Sequence, residues 1–158
     1  MNQLVGRVIL AQMRDRLTKE RRSWNMSRIR AKDTTPEKRV RSLLHRMGYR
    51  FRLHRKDLPG NPDIVFVSRR VALFVHGCFW HRHQGCKNCT TPTNRRKFWT
   101  DKLEGNRSRD QRTRRALHAL GWRTFVLWEC QTKDPRKLNK ATERFVKNFI
   151  PKPGMKRR

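Results

Sequence analysis

The sequence predicts an α/β fold, a central mixed β-sheet flanked by helices, and three observations lead there. Apolar runs of strand length stand at Ile64–Val67, Val71–Val75 and Trp122–Trp128. Stretches of helical period lie before, between and after them, opened by capping residues and closed by glycine. The chain has 158 residues, enough for one domain with a real core and not comfortably for two.

Residues 1–22 are basic and weakly patterned and read as an N-terminal extension, with a domain over 23–150 and a loose basic tail over 151–158. The first helix opens at Thr34, which has capping-box spacing to Glu37, with Pro36 in the first turn. Val40, Leu43, Leu44 and Met47 share one buried face, and Gly48 ends the helix. Tyr49–His54 alternates as a strand. The turn Leu58-Pro59-Gly60-Asn61-Pro62 then delivers Asp63 to the start of a second strand. A third strand, reached through Ser68-Arg69-Arg70, carries His76 at its end. A long polar helix spans about Arg95 to Leu120, with Gly105 as a candidate interruption and Gly121 as its stop. After the strand Trp122–Trp128, Asp134-Pro135 opens a last helix whose apolar face is Leu138, Ala141, Phe145 and Phe149.

Charge narrows the partners. Lys and Arg number 41 against 12 Asp and Glu, a net +29 spread over nearly every segment. Such a field recruits polyanions, with nucleic acid first and a ribosomal, nucleoid or anionic-membrane role as the competitors. No long apolar stretch spans a membrane and no cleavable signal is present, so the expected location is the cytoplasm. Three of the four cysteines sit at ligand-like spacing, which favours metal over disulfides.

Two unlike metal chemistries meet in one stretch. Cys78, His83 and Cys86 supply soft ligands from one loop, and Cys130 closes a tetrahedron if the fold brings it there; Cys89 competes with Cys86. Asp63 is a hard ligand beside a His-ended strand, the type that holds Mg²⁺ for phosphodiester hydrolysis. Many nucleases follow such an Asp with Glu-x-Lys on the next strand. Here that position reads Leu73-Phe74-Val75-His76, so either the chain is no nuclease or histidine has taken over, with His76 and His81 as available bases. Asn106 and Asp110 share a helix face; Asp110 is placed to orient a histidine, although pairing with a nearby Arg is the better reading of spacing alone. Glu37 is first of all a capping residue. Phe79 and Trp80 are adjacent within a polar loop, as base-stacking side chains are, while Trp99 is as readily core.

Leu58-Pro59-Gly60-Asn61-Pro62-Asp63, Phe74-Val75-His76-Gly77-Cys78-Phe79-Trp80-His81, Phe98-Trp99, Asn106-Arg107-Ser108-Arg109-Asp110 and Trp128-Glu129-Cys130 together resemble the very short patch repair endonucleases. The resemblance runs from about Arg22 to Ile150. It implies a restriction-endonuclease-like fold with a structural zinc site. The implied activity is Mg²⁺-dependent nicking 5′ to the thymine of a T·G mismatch, as left by deamination of 5-methylcytosine. A restriction-like endonuclease of the same fold and a non-catalytic, zinc-stabilised DNA-binding module are the alternatives.

Position by position, the resemblance makes Asp63 the catalytic acid and Mg²⁺ ligand, with the main-chain carbonyl of Val75 beside it. It makes His81 the general base, His76 and Asp110 its supporting pair, and Glu37 an acid near the site. Cys78, His83, Cys86 and Cys130 match the zinc ligands. Phe79, Trp80 and Trp99 match an aromatic wedge beside the mismatch, Met26 and Ile29 an apolar arm on the other groove, and Asn106 joins the DNA-binding set. The implied partner is double-stranded DNA bound by a monomer acting on the bacterial nucleoid, with mismatch-repair proteins as further partners. The flanking context, the cognate methyltransferase and the role of residues 1–22 are not legible.

Overall fold

A computed structural model describes residues 18, 20, 21, 24 and 32–151. The chain divides into two compact units, Met1–Ala31 and Lys32–Arg158. Met26, Ile29 and the tail from residue 152 lie outside the described residues.

Within the second unit the first helix, α1, spans Thr35–Arg46. Its start is the capping box read from the sequence: the Glu37 N–H donates to Thr34 Oγ1 at 3.5 Å and the Thr34 N–H to Glu37 Oε1 at 3.4 Å. Strand β1 (Ile64–Phe66) leads through a 3₁₀ turn, closed by Arg70 in the left-handed region, into β2 (Val71–His76). The long helix α2 (Arg96–Ala119) follows, then β3 (Arg123–Trp128), the short α3 (Glu129–Thr132) and α4 (Pro135–Phe149). Strand order is β1-β2-β3, antiparallel on one side of β2 and parallel on the other, so the three-stranded sheet is mixed.

Two expectations change. Tyr49–His54 is not a strand; only Arg52 pairs, in an isolated antiparallel bridge to Val65. His54 sits at φ +49°, which turns the chain out of the ladder immediately beyond the bridge. Gly105 does not interrupt α2, which runs unbroken from Arg96 to Ala119; a mid-helix glycine costs only about 1 kcal/mol, too little to break a helix of 24 residues.

Strand alternation splits the sheet into two faces. Val71 and Leu73 join Leu127, Val40 and Leu44 of α1, and Leu138, Phe145 and Val146 of α4 in the larger core. Ala72 and Phe74 turn the other way, onto Val65, Leu58 and Leu117 of α2. The consequence for function is one of parity. His76 continues the face of Ala72 and Phe74, and Trp128 that of Val126, so both emerge on the α2 side at the C-terminal end of the parallel pair.

Candidate active site and metal centre

Asp63 is delivered by a turn that only glycine permits. Gly60 has φ +74°, and a Cβ there would lie 2.2 Å from Thr113 Cγ2, so the turn packs its backbone directly on α2. The Val75 N–H donates to Asp63 Oδ2 at 2.7 Å. Arg52 and Val65 exchange both main-chain bonds, at 2.9 and 2.8 Å, so Val65 faces away from β2 while Ile64 and Phe66 face it. On β2 the residues facing β1 are then Val71, Leu73 and, by the same alternation, Val75. The Val75 carbonyl therefore projects to the edge beyond the end of β1, where the Asp63 carboxylate sits. Burial pushes the Asp63 carboxyl up to about 6; the Val75 N–H opposes the shift and the charge of Glu37 adds to it.

Glu37 is buried and does more than cap. It accepts from the Asp33 N–H at 3.0 Å, from Thr34 Oγ1 at 2.7 Å and from Arg41 Nη2 at 2.7 Å. Arg41 also pairs with Asp33, which in turn holds His54 Nε2 at 3.2 Å. Nothing in the local sequence singles out Arg41, Asp33 or His54; the i,i+4 spacing of Glu37 and Arg41 is the one signal that points to part of this network.

The second half of the site lies at the same end of β2, one residue beyond Val75. His76 and His81 stack with ring centroids 3.8 Å apart and planes 15° apart. His81 Nδ1 and Asp110 Oδ2 are 2.6 Å apart, so Asp110 takes a histidine partner and not the arginine that spacing favoured. The three residues bring ligand-type atoms within 4.8 Å of one another. Face-to-face imidazoles, however, point their in-plane lone pairs side by side and not at one ion. The carboxylate of Asp110 holds the His81 ring at Nδ1 and leaves its Nε2 unbound by Asp110. Burial holds the His76 imidazole down to about 3, with His81 and Arg114 adding and Asp110 opposing, so His76 stacks as a neutral ring.

The loop between Gly77 and Cys86 carries the rest. Phe79, Trp80 and Trp99 form one cluster, with centroids 5.0, 5.4 and 6.1 Å apart. Phe98, absent from the sequence-derived site, extends it at 5.4 Å from Trp99, is 45% exposed, and lies under the Arg95 guanidinium. The Asn106 amide donates to the Trp80 carbonyl at 3.1 Å and accepts from Arg109, so it braces the loop from α2.

Cys78, His83, Cys86 and Cys130 place their ligand atoms within 4.8 Å of one another, and Cys89 is not among them. His83 Nδ1 is 3.5 Å from both the Cys78 and Cys130 sulfurs. A tetrahedral Zn²⁺ with ordinary Zn–N and Zn–S bonds needs an edge of roughly 3.6 Å. The soft donor set and its spacing fit that ion. Burial pushes the Cys78 thiol up to about 12 and raises Cys130, while the Asn88 main-chain N–H lowers Cys86. His83 is fixed from behind by Trp128, stacked at 4.1 Å and 3°. A cavity of about 240 Å³ opens beside His76, His81 and Asp110, walled by Arg82, Arg107 and Arg114.

A family model described as DNA mismatch endonuclease Vsr matches residues 14–89. The Type II nicking enzyme V.XorIIP of Xanthomonas oryzae is 61% identical over 122 residues, covering 77% of this chain and 89% of its own length. DNA mismatch endonuclease Vsr of Escherichia coli is 43% identical over 129 residues, covering 82% of this chain and 80% of its own. The chain belongs to the Vsr family. A further relative, the Type II nicking enzyme V.NmeAIP of Neisseria meningitidis, is 35% identical over 137 residues, 87% of this chain and 97% of its own. As a Vsr-family protein it is a DNA nicking endonuclease with DNA as its substrate, which accounts for the +29 charge. No helix among the described residues of this Vsr-family chain is long and apolar enough to cross a membrane.

Proposed function

We propose that this Vsr-family endonuclease has a restriction-endonuclease-like fold and performs very short patch repair, nicking 5′ to the thymine of a T·G mismatch by Mg²⁺-dependent hydrolysis. The observation that supports it best is the make-up of one loop. Between Cys78 and His83, two ligands of the soft centre, stand only Phe79, Trp80, His81 and Arg82. A wedge for the mismatch and a base for the chemistry are thus fixed by the same two anchors.

Asp63 and the Val75 carbonyl form a hard-oxygen corner, with Glu37 near enough for its charge to act on Asp63, and this donor set fits Mg²⁺. When bound, the ion supplies Lewis-acid polarisation of the phosphodiester. His81 takes the proton of the attacking water at Nε2, because Asp110 holds Nδ1 and fixes the tautomer. As water attacks phosphorus the P–O bond to the leaving oxygen breaks, opening one strand. His76, neutral at working pH, backs the His81 ring without repelling the imidazolium that forms. Cys78, His83, Cys86 and Cys130 would hold Zn²⁺ in a structural role, which would tie the loop to α3. Phe79, Trp80 and Trp99 fill the step beside the wobble pair, whose weaker stacking lowers the cost of opening it. The reading also makes the chain a cytoplasmic monomer on double-stranded DNA, with mismatch-repair proteins as further partners.

The test is a panel of duplexes carrying T·G, other mismatches or matched pairs, with and without Mg²⁺. Selective, Mg²⁺-dependent nicking of the T·G thymine strand is expected. Equal rates on matched and T·G duplexes would transfer the chain to a restriction-like specificity, which the Type II nicking relatives make the second reading.

A further inference from the structure

Trp128 is the last residue of β3 and the register partner of His76. Its indole belongs to neither apolar core. Its ring neighbours are imidazoles: His83, stacked at 4.1 Å and 3°, and His76, met edge-on at 5.6 Å and 77°. His76 in turn stacks on His81 at 3.8 Å. One unbroken column of rings therefore leads from the thiol centre, entered at His83 Nδ1, to the His81–Asp110 couple.

The column does something that the hydrogen bond to Asp110 does not. A single bond at Nδ1 fixes one atom of the His81 ring and leaves the plane free to turn about that bond. Contact with a second, parallel ring fixes the plane. His76 can serve as that second ring only if it is held itself, and it lies between Phe74 at 5.7 Å and Trp128. Trp128 is well placed to hold it: its backbone is fixed by parallel pairing with β2 and by donation of its N–H to Gln131 Oε1 at 2.9 Å. Its far face rests on the His83 ring, parallel to within 3° at 4.1 Å, so each ring limits the tilt of the other.

We propose that Trp128 is a positioning residue for the nicking reaction, braced on the His83 ring and holding His76 edge-on against His81. The thiol centre then does more than hold the loop to the sheet; it sets the orientation of the reacting imidazole through an indole that touches no substrate. This rests on the assignment of His81 as the base.

The experiment uses the full chain, loaded with zinc, as Trp128→Leu and Trp128→Phe. Trp128→Leu should lower the single-turnover nicking rate at saturating duplex by about 10²-fold, with duplex affinity changed by no more than about twofold. Trp128→Phe, which keeps a ring of smaller reach, should fall between Trp128→Leu and the wild type. A readout free of activity is the proton NMR signal of His81 Nδ1–H in its bond to Asp110. It should broaden in Trp128→Leu although neither partner is altered, while metal analysis still finds one zinc per chain. A wild-type rate in folded, zinc-bound Trp128→Leu overturns the proposal, as does a lost rate that added zinc restores. If Trp128→Leu does not fold, Trp128→Phe decides: a slower rate with a disturbed His81 signal supports the column, and wild-type values for both overturn it. Normal nicking by His81→Ala would instead remove the base assignment, and the His81 signal would still report whether the indole orders that ring.

Discussion

Replacing Asp63 with asparagine should stabilise the Mg²⁺-free protein while abolishing its activity. Burial raises the Asp63 carboxyl from 3.8 to about 6, so the folded chain holds this proton more tightly than the unfolded chain does. Stability from Asp63 is therefore full below about pH 3.8 and is lost as pH rises toward 6. A shift of roughly two units at about 1.4 kcal/mol each sets the loss at neutral pH near ~3 kcal/mol as an upper value. Asparagine has the same shape, still accepts the Val75 N–H, and has no charge to desolvate. At roughly 2–4 °C per kcal/mol for a chain of this size, Asp63→Asn should melt up to ~6–12 °C higher at pH 7.5. The gap should close below about pH 4. His76 titrates in the opposite sense, its stability lost as pH falls below 6.5, but it is present in both proteins and cancels in the difference. Added Mg²⁺ should raise the wild-type melting temperature and leave Asp63→Asn unmoved, since only the former offers a hard anionic ligand. The assay is a set of circular-dichroism melts from pH 3.5 to 7.5 on zinc-loaded protein without chelator. Equal or lower stability of Asp63→Asn at pH 7.5 would mean that the acid is well solvated and that the argument from burial is wrong.

Three further outcomes are expected. Cys86→Ser should lose tightly held zinc and Cys89→Ser should keep it, by metal analysis of purified protein, because only Cys86 lies within the ligand cluster. His81→Ala should slow single-turnover nicking about 10²–10⁴-fold with duplex binding retained, and Asp110→Asn should be slowed through the wrong tautomer; a normal rate for His81→Ala would move the base elsewhere. Trp80→Ala should cost T·G nicking a stacking contact of ~1–3 kcal/mol, about 5- to 150-fold, while affinity for matched duplex in a gel-shift titration stays level.

What the sequence carried well was local. Thr34, Pro36 and Glu37 announce α1 because a capping box is complete within four residues, and Asp134-Pro135 does the same for α4 by accepting from the N–H groups of Arg136 and Lys137. Cys78, His83 and Cys86 stand out because three ligands within nine positions are rare outside a metal site. What it carried badly was set across the fold. Tyr49–His54 has the alternation of a strand, yet pairing depends on a partner, and β1 offers a bridge only at Val65. Asp110 is surrounded in sequence by arginines, and its actual partner lies 29 residues away. From spacing alone Cys130 is a spatial guess, which the family resemblance completes, and Trp128 shows nothing locally because the rings it meets are brought to it by other elements.

The mixed sheet also sets an order in which the enzyme becomes one. β1 and β2 are neighbours in the chain and pair across a four-residue connection, so the corner made by Asp63 and Val75 rests on a local contact. The parallel partner of His76 is Trp128, and between them run the loop and the whole of α2. Closing that long excursion is the slow, entropically costly step. Cys130 and the indole behind His83 arrive only with it. The anchored loop and the ordered ring of His81 therefore both depend on the parallel strand pair, the pairing of the sheet whose partners stand farthest apart in the sequence.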